Sequence, residues 1–270
     1  MAARSVIRSP LMRLPLCFRL AFAACLAASL PAAAAAQVAS PPDSSLLIVF
    51  ENDVPVAHER SSFLSMGDSI VVSAVSERKY NDEKGVAHPY KKTMVVVLDS
   101  RDLGLIRYMS IQDFDGHSVT RGVLPGDTSM TYFDELDGGG AANRLVQPPG
   151  RLFVMDAPMF TLFDVISRSL VGKAFTSRRV QLLALQRDSL VTPLATVTAV
   201  GTDTLRLGRT TLPARHYTLE DSSAVFDLWA DRSGRLVRLW HLQTGIRVER
   251  SPEETRPAAA VRRKSRSVKR

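Results

Sequence analysis

Cysteine is confined to the start of this chain: Cys17 and Cys25 are the only two among 270 residues. Everything after them therefore lacks disulfides, thiolate metal sites and cysteine nucleophiles. Histidine is scarce too. His58, His88, His117, His216 and His241 are scattered, and the "HER" at His58 has no second histidine at the spacing of a zinc-protease helix. "DFDGH" at 113–117 opens like a calcium loop, but no ligand series ending in glutamate follows it, so it reads as a hairpin turn. There is no G-x-S-x-G, no S-x-x-K with a companion motif, and no Asp-Thr-Gly or Asp-Ser-Gly. Gly138-Gly139-Gly140 lacks the Lys-Ser/Thr and the strand-to-helix setting of a phosphate loop. No cofactor, metal or catalytic residue is thus assigned. An unrecognised hydrolase would have to bring one histidine to a carboxylate and a hydroxyl in space.

No apolar run is long enough to span a bilayer. Leu20 to Leu30 is about a third short of the roughly 20 residues required. Instead, residues 1–36 run from four arginines through an apolar core to an alanine-rich end, the order of a secretory signal cleaved after Ala36. Met12 gives a tidier start to that signal than Met1. The expected location is periplasmic or secreted, with no transmembrane segment in the mature chain.

Net charge is +8, but it belongs to the ends. Residues 1–36 hold 4 basic and no acidic residues, and residues 251–270 hold 7 basic and 2 acidic, which leaves 24 basic against 25 acidic between them. A specific nucleic-acid partner is therefore not expected of the body. The tail "SPEETRPAAAVRRKSRSVKR" has no apolar periodicity and reads as a disordered basic arm, either a solubilising terminus or a tether to an anionic surface.

Between the ends, apolar and polar residues alternate with period two. "LLIVF", "VPVAHERSSFLS", "SIVVSAVSERKY", "KTMVVVLD", "LGLIRYMSIQD" and "TSMTYFDEL" predict strands in the first half. "RRVQLLALQ", "LATVTAV", "ARHYTLE", "VFDLWA", "LVRLWHL" and "GIRVER" predict them in the second. Only "DAPMFTLFDVISRSLVG" changes period. Met159, Leu162, Phe163, Ile166 and Leu170 recur at helical spacing, with Asp156 as a cap, Pro158 in the first turn, Gly172 past the end, and Asp164, Ser167 and Arg168 on the polar side. The link from Asp137 to Gly150 reads as a mobile glycine-rich loop. These features predict one domain over residues 37–250, α+β but mostly antiparallel, a curved meander or half-barrel with one amphipathic helix on its concave face.

The hairpin Trp229, Asp231, Gly234 and Leu236 follows the pattern W-x-D-x-x-G-x-L, and "VFENDVPVAHE" at 49–59 forms a matching first hairpin, with Ala57 where glycine is usual. In these stretches the chain resembles bacterial envelope proteins of unknown function with a fold like the periplasmic lipoprotein carrier LolA. The resemblance implies a curved sheet closed by a helix, holding a lipid or lipidated peptide. Strand parity puts large apolar groups on both faces of the Trp229 hairpin, more than a sheet wet on one side needs. The expected apolar lining is Met159, Leu162, Phe163, Ile166, Trp229 and Trp240, with the helix displaced by the ligand. The other reading of the same residues is a filled core, in an assembly module whose basic tail meets an anionic partner.

Overall fold

The computed structural model describes residues 43–81, 84–185 and 193–252. The signal-like segment and nearly all of the basic tail lie outside them. The rest forms a mostly antiparallel sheet that does not close, fifteen strands where the sequence predicts about a dozen. In chain order, β1 (Asp43–Glu51), β2 (Val54–Met66), β3 (Ser69–Asn81), β4 (Ala87–Asp99), β5 (Leu105–Phe114), β6 (His117–Pro125), β7 (Ser129–Leu136) and β8 (Gly139–Val146) meander to one edge. β9 (Leu152–Met155) forms the other edge and precedes the helix α1 (Thr161–Ser169). The chain then returns through β10 (Ser177–Ala184), β11 (Leu194–Leu207), β12 (Thr210–Glu220), β13 (Val225–Ala230), β14 (Leu236–His241) and β15 (Ile246–Arg250), which pairs with β1. Among the described residues only β9 and β10 pair in parallel.

The alternation selects the buried face. On β4 it turns Tyr90, Lys92, Met94, Val96 and Leu98 inward, and on β1 it turns Ser45, Leu47 and Val49 inward. Asn52-Asp53, Asp115-Gly116 and Asp137-Gly138 all adopt positive φ, the hairpin turn whose twist matches that of the strands it joins. "DFDGH" is accordingly a hairpin turn between β5 and β6. The expected loop at 137–150 is largely strand: Asp137-Gly138 turn the chain, and β8 returns along β7. A Cβ on Gly140 would lie 2.6 Å from Glu135 Cα, so this glycine serves close backbone approach and not flexibility.

The helix is shorter than its pattern, nine residues, and is buried on nearly every side. Asp156 does not cap it. Glu59 on β2 does so, accepting the Phe160 N–H at 2.8 Å and the Thr161 N–H at 2.6 Å. The polar side expected to face solvent is also enclosed. Asp164 accepts the Leu236 N–H at 2.6 Å, and Ser167 donates to the Gly234 carbonyl at 2.7 Å. Gly234 has φ +82°, and a Cβ there would sit 2.9 Å from Arg168 Cα. The glycine of the β13–β14 hairpin is therefore required both by the turn and by the helix lying on it.

Asp156, just past edge strand β9, accepts hydrogen bonds from Lys92 Nζ (2.5 Å), Tyr108 Oη (2.6 Å) and Ser110 Oγ (2.8 Å). Lys92 also donates to the Ala157 carbonyl at 2.9 Å. β4 and β9 stand ten places apart in strand order, which would be about 48 Å in a flat sheet at ~4.8 Å per strand. The sheet therefore curls until β9 meets β4 and β5, and this side-chain cluster fastens it there around α1.

Lys92 and Asp156 are both fully buried. Removing one charge of such a pair costs about 3–5 kcal/mol because the other is left without its partner. Lys92→Met should lose about that much in a urea melt, and Lys92→Met with Asp156→Asn should recover a large part of it. Gly234→Ala should cost about 2–3 kcal/mol through its backbone conformation and its contact with α1. Burial raises the Glu59 pKa above its ordinary 4.5, despite the N–H groups it accepts. Its share of stability is therefore present below pH 4.5 and lost as pH rises through the folded-state value. Melting curves from pH 4 to 8 should show Glu59→Gln gaining on the wild-type protein as pH increases.

Candidate ligand-binding groove

The six residues expected to line a site fall in three places. Met159, Leu162, Phe163 and Ile166 come together in the main buried cluster, where Phe163 packs on Phe226 with ring centroids 4.8 Å apart. Trp229 and Trp240 are on the opposite face of the sheet. A bulge beside Ala230 leaves Val237 out of the β13–β14 register, and Trp229 joins Val237, Leu205, Leu207 and Ala214 in a second small cluster. The far part of the β11–β12 hairpin thus covers apolar groups on that face. Trp240 is 45% exposed.

Beside Trp229 sits a polar assembly with no motif in the sequence. His216 stacks on the indole at 4.4 Å, and its ring nitrogens lie 3.0 Å from Asp227 and 3.2 Å from Asp203. The Trp229 indole N–H donates to Asp203 at 2.7 Å. Cross-strand pairing explains the arrangement, because His216 is in register with Trp229 on β13 and with Gly201 on β11. Among the described residues no group of three or more His, Cys, Asp or Glu is arranged to hold a metal ion, and no helix is long and apolar enough to cross a membrane.

A groove of about 980 Å³ runs across β1 to β4. Leu46, Ile48, Pro55, Val56, Ala57 and Tyr90 supply its apolar surface, while Arg60, Arg78, Lys79 and Lys91 bring positive charge. Glu77 is the one carboxylate in the lining, and it is engaged by His58 at 3.3 Å and Lys91 at 3.8 Å. These half-exposed pairs add little stability, so their consequence is local: they leave Arg60, Arg78 and Lys79 without a carboxylate among the described residues. Arg78 lies over the Tyr90 ring at 4.7 Å, and its Nε is buried without a hydrogen-bond acceptor. Burial pushes the Tyr90 phenol well above its ordinary pKa, so its hydroxyl stays neutral. The groove can therefore accept an apolar body and present cations to an anionic group attached to it.

The alternating sequence shows these residues as strand faces. What it hides is the register that lines up Ile48, His58, Glu77 and Lys91 in one row and Leu46 with Arg60 in the next.

No protein-family model matches the chain, and no curated protein matches it. Among solved structures it is similar to the beta-barrel-like protein of the domain of unknown function DUF1849 from Brucella abortus. That similarity has a TM-score of 0.52 at 8% identity, over 78% of this chain and 94% of that one. A DUF1089 family protein from Pseudomonas aeruginosa matches with a TM-score of 0.41 at 16% identity, over 66% of this chain and 87% of that one. At such identities the first of these likenesses concerns the fold alone.

Proposed function

We propose that this protein is an exported, non-enzymatic binding protein of the bacterial envelope that holds an amphiphile with an anionic group, such as a fatty acid or anionic lipid, in the groove across β1 to β4. The observation that carries the reading is the combination in one groove of apolar Leu46, Ile48, Pro55 and Val56 with the unneutralised cations Arg60, Arg78 and Lys79. The signal-like start and the resemblance to LolA-like envelope proteins support export and a lipidic ligand. The route by helix displacement is disfavoured. Lifting α1 would strip two backbone N–H donors from the buried Glu59 and leave its carboxylate unsatisfied, at several kcal/mol.

A second reading, an assembly module, draws on the packed interior: Ile166, Leu170, Leu183 and Leu228 are all completely buried. In that reading the basic tail carries the contact with an anionic partner. Ser251 is buried and its N–H donates to the Leu46 carbonyl at 2.8 Å, so the cut belongs after it: removal of residues 253–270 should then abolish attachment to anionic vesicles at low salt while the melting temperature stays unchanged.

For the groove, delipidated protein titrated with a fluorescent fatty acid should show saturable binding. Arg60→Glu with Lys79→Glu, both at exposed positions, should weaken it at least tenfold, and a fatty alcohol of the same chain length should bind the two proteins alike. Absence of saturable binding, or equal affinity of the charge-reversed variant, would contradict the assignment.

A further inference from the structure

A second cavity, independent of the groove and of its proposed ligand, lies at the β9 edge of the sheet where α1 ends. It holds about 250 Å³ and is walled by Phe153, Leu170, Val180 and Leu194, with Arg151, Arg178 and Arg179 around it. This is below the ~300–1,000 Å³ typical of sites that take a drug-sized molecule. Its occupant is accordingly a small group or the end of a larger one.

The fold gathers the arginines from two adjacent strands. Arg151 directly precedes β9, and Arg178 and Arg179 are early in β10, which pairs with β9 in parallel. Their charge is only slightly compensated. Arg151 reaches Asp102 at 3.2 Å, and that carboxylate is half-exposed. Arg178 and Arg179 meet no carboxylate among the described residues. Arg151 Nε is buried and lacks a hydrogen-bond acceptor.

Lys173 adds a fourth cation beside the cavity, donating to the carbonyl of Ser169, one of the lining residues, at 2.8 Å. Its pKa is depressed, first by burial and then by the neighbouring charges of Arg151 and Arg178. The clustering of cations is thus felt by the one group among them that can release a proton.

Like charges gathered around a small, partly enclosed space destabilise the free protein unless an anion joins them. Several guanidinium forks in one place match the planar, multi-oxygen faces of a phosphate better than a single carboxylate, because each fork can donate two parallel hydrogen bonds. We propose that this cavity is a phosphate-binding site, taking either a free phosphate or small phosphomonoester, or the phosphate of a lipid headgroup. The apolar walls then receive the carbon atoms next to the phosphate.

The test is calorimetric titration of the full chain with inorganic phosphate at low ionic strength, beside flotation with vesicles containing phosphatidic acid or only phosphatidylcholine. Wild-type protein should bind phosphate saturably at one site. Arg178→Gln with Arg179→Gln, one partly buried and one exposed, should weaken binding at least tenfold with an unchanged circular dichroism spectrum. Arg151→Lys, which keeps the charge but loses the fork, should weaken it by less. Arg60→Glu with Lys79→Glu should leave it unaltered, so failure of the groove and failure of this site are distinguishable. Phosphate binding with flotation on phosphatidic acid that the double glutamine variant loses identifies the headgroup as source; phosphate binding without such flotation identifies the soluble ligand. No saturable phosphate binding, or binding that the double glutamine variant leaves intact, overturns the site.

Discussion

β9 pairs with β10 on one side only, so its landing against β4 and β5 across the curl has to be held by side chains, and that task falls to Asp156. Its carboxylate takes Lys92, Tyr108 and Ser110 from two strands that a flat sheet would leave far away. The curl this fixes encloses α1, and the enclosure explains why a helix of only nine residues can be stable: short helices depend on packing far more than on propensity. Burial of the lysine and of Glu59 carries a desolvation cost, visible as a lowered pKa for the first and a raised one for the second. Both are retained where an apolar pair would hold without that cost. Each also fixes a geometry, the landing of β9 and the start of α1, that apolar contacts alone would specify loosely.

Once the helix is anchored at both ends, the interior offers no simple entry. Glu59 holds its first turn, and Asp164 and Ser167 bind it to the β13–β14 hairpin. The two candidate sites lie elsewhere, in the groove across β1 to β4 and in the arginine-lined cavity beside β9. Both are rich in arginine or lysine with few carboxylates, although the body of the chain is nearly neutral. Its charge is segregated, and a net count cannot show that.

Much of the architecture was legible in the chain. Period-two alternation marks most of the strands, and α1 stands out by its helical spacing. β6 and β8 are hidden because "HSVTRGVLP" and "GGAANRLV" have little apolar alternation, and β9 because "LFVM" is buried on both faces and so does not alternate. The site was much less legible. The spacing of Met159, Leu162, Phe163 and Ile166 marks them as one apolar stripe, and they do come together in the buried cluster, yet spacing cannot tell a lining from a core. Trp229 and Trp240 lie on the other face of the sheet, because parity shows that the two faces differ but not which of them the helix covers. Lys92 and Glu59 read as ordinary polar positions in strands, since their partners are 64 and about 100 residues away in sequence.

The central claim is that the interior is a closed, helix-filled core and that ligand binds outside it. Methyl-labelled NMR during titration with a fatty acid tests this most directly. The account predicts shifts at Leu46, Ile48 and Val56, with Met159, Leu162 and Ile166 unmoved. Shifts concentrated on those three helix-side methyl groups, with the groove silent, would show that the ligand displaces the helix and would contradict it.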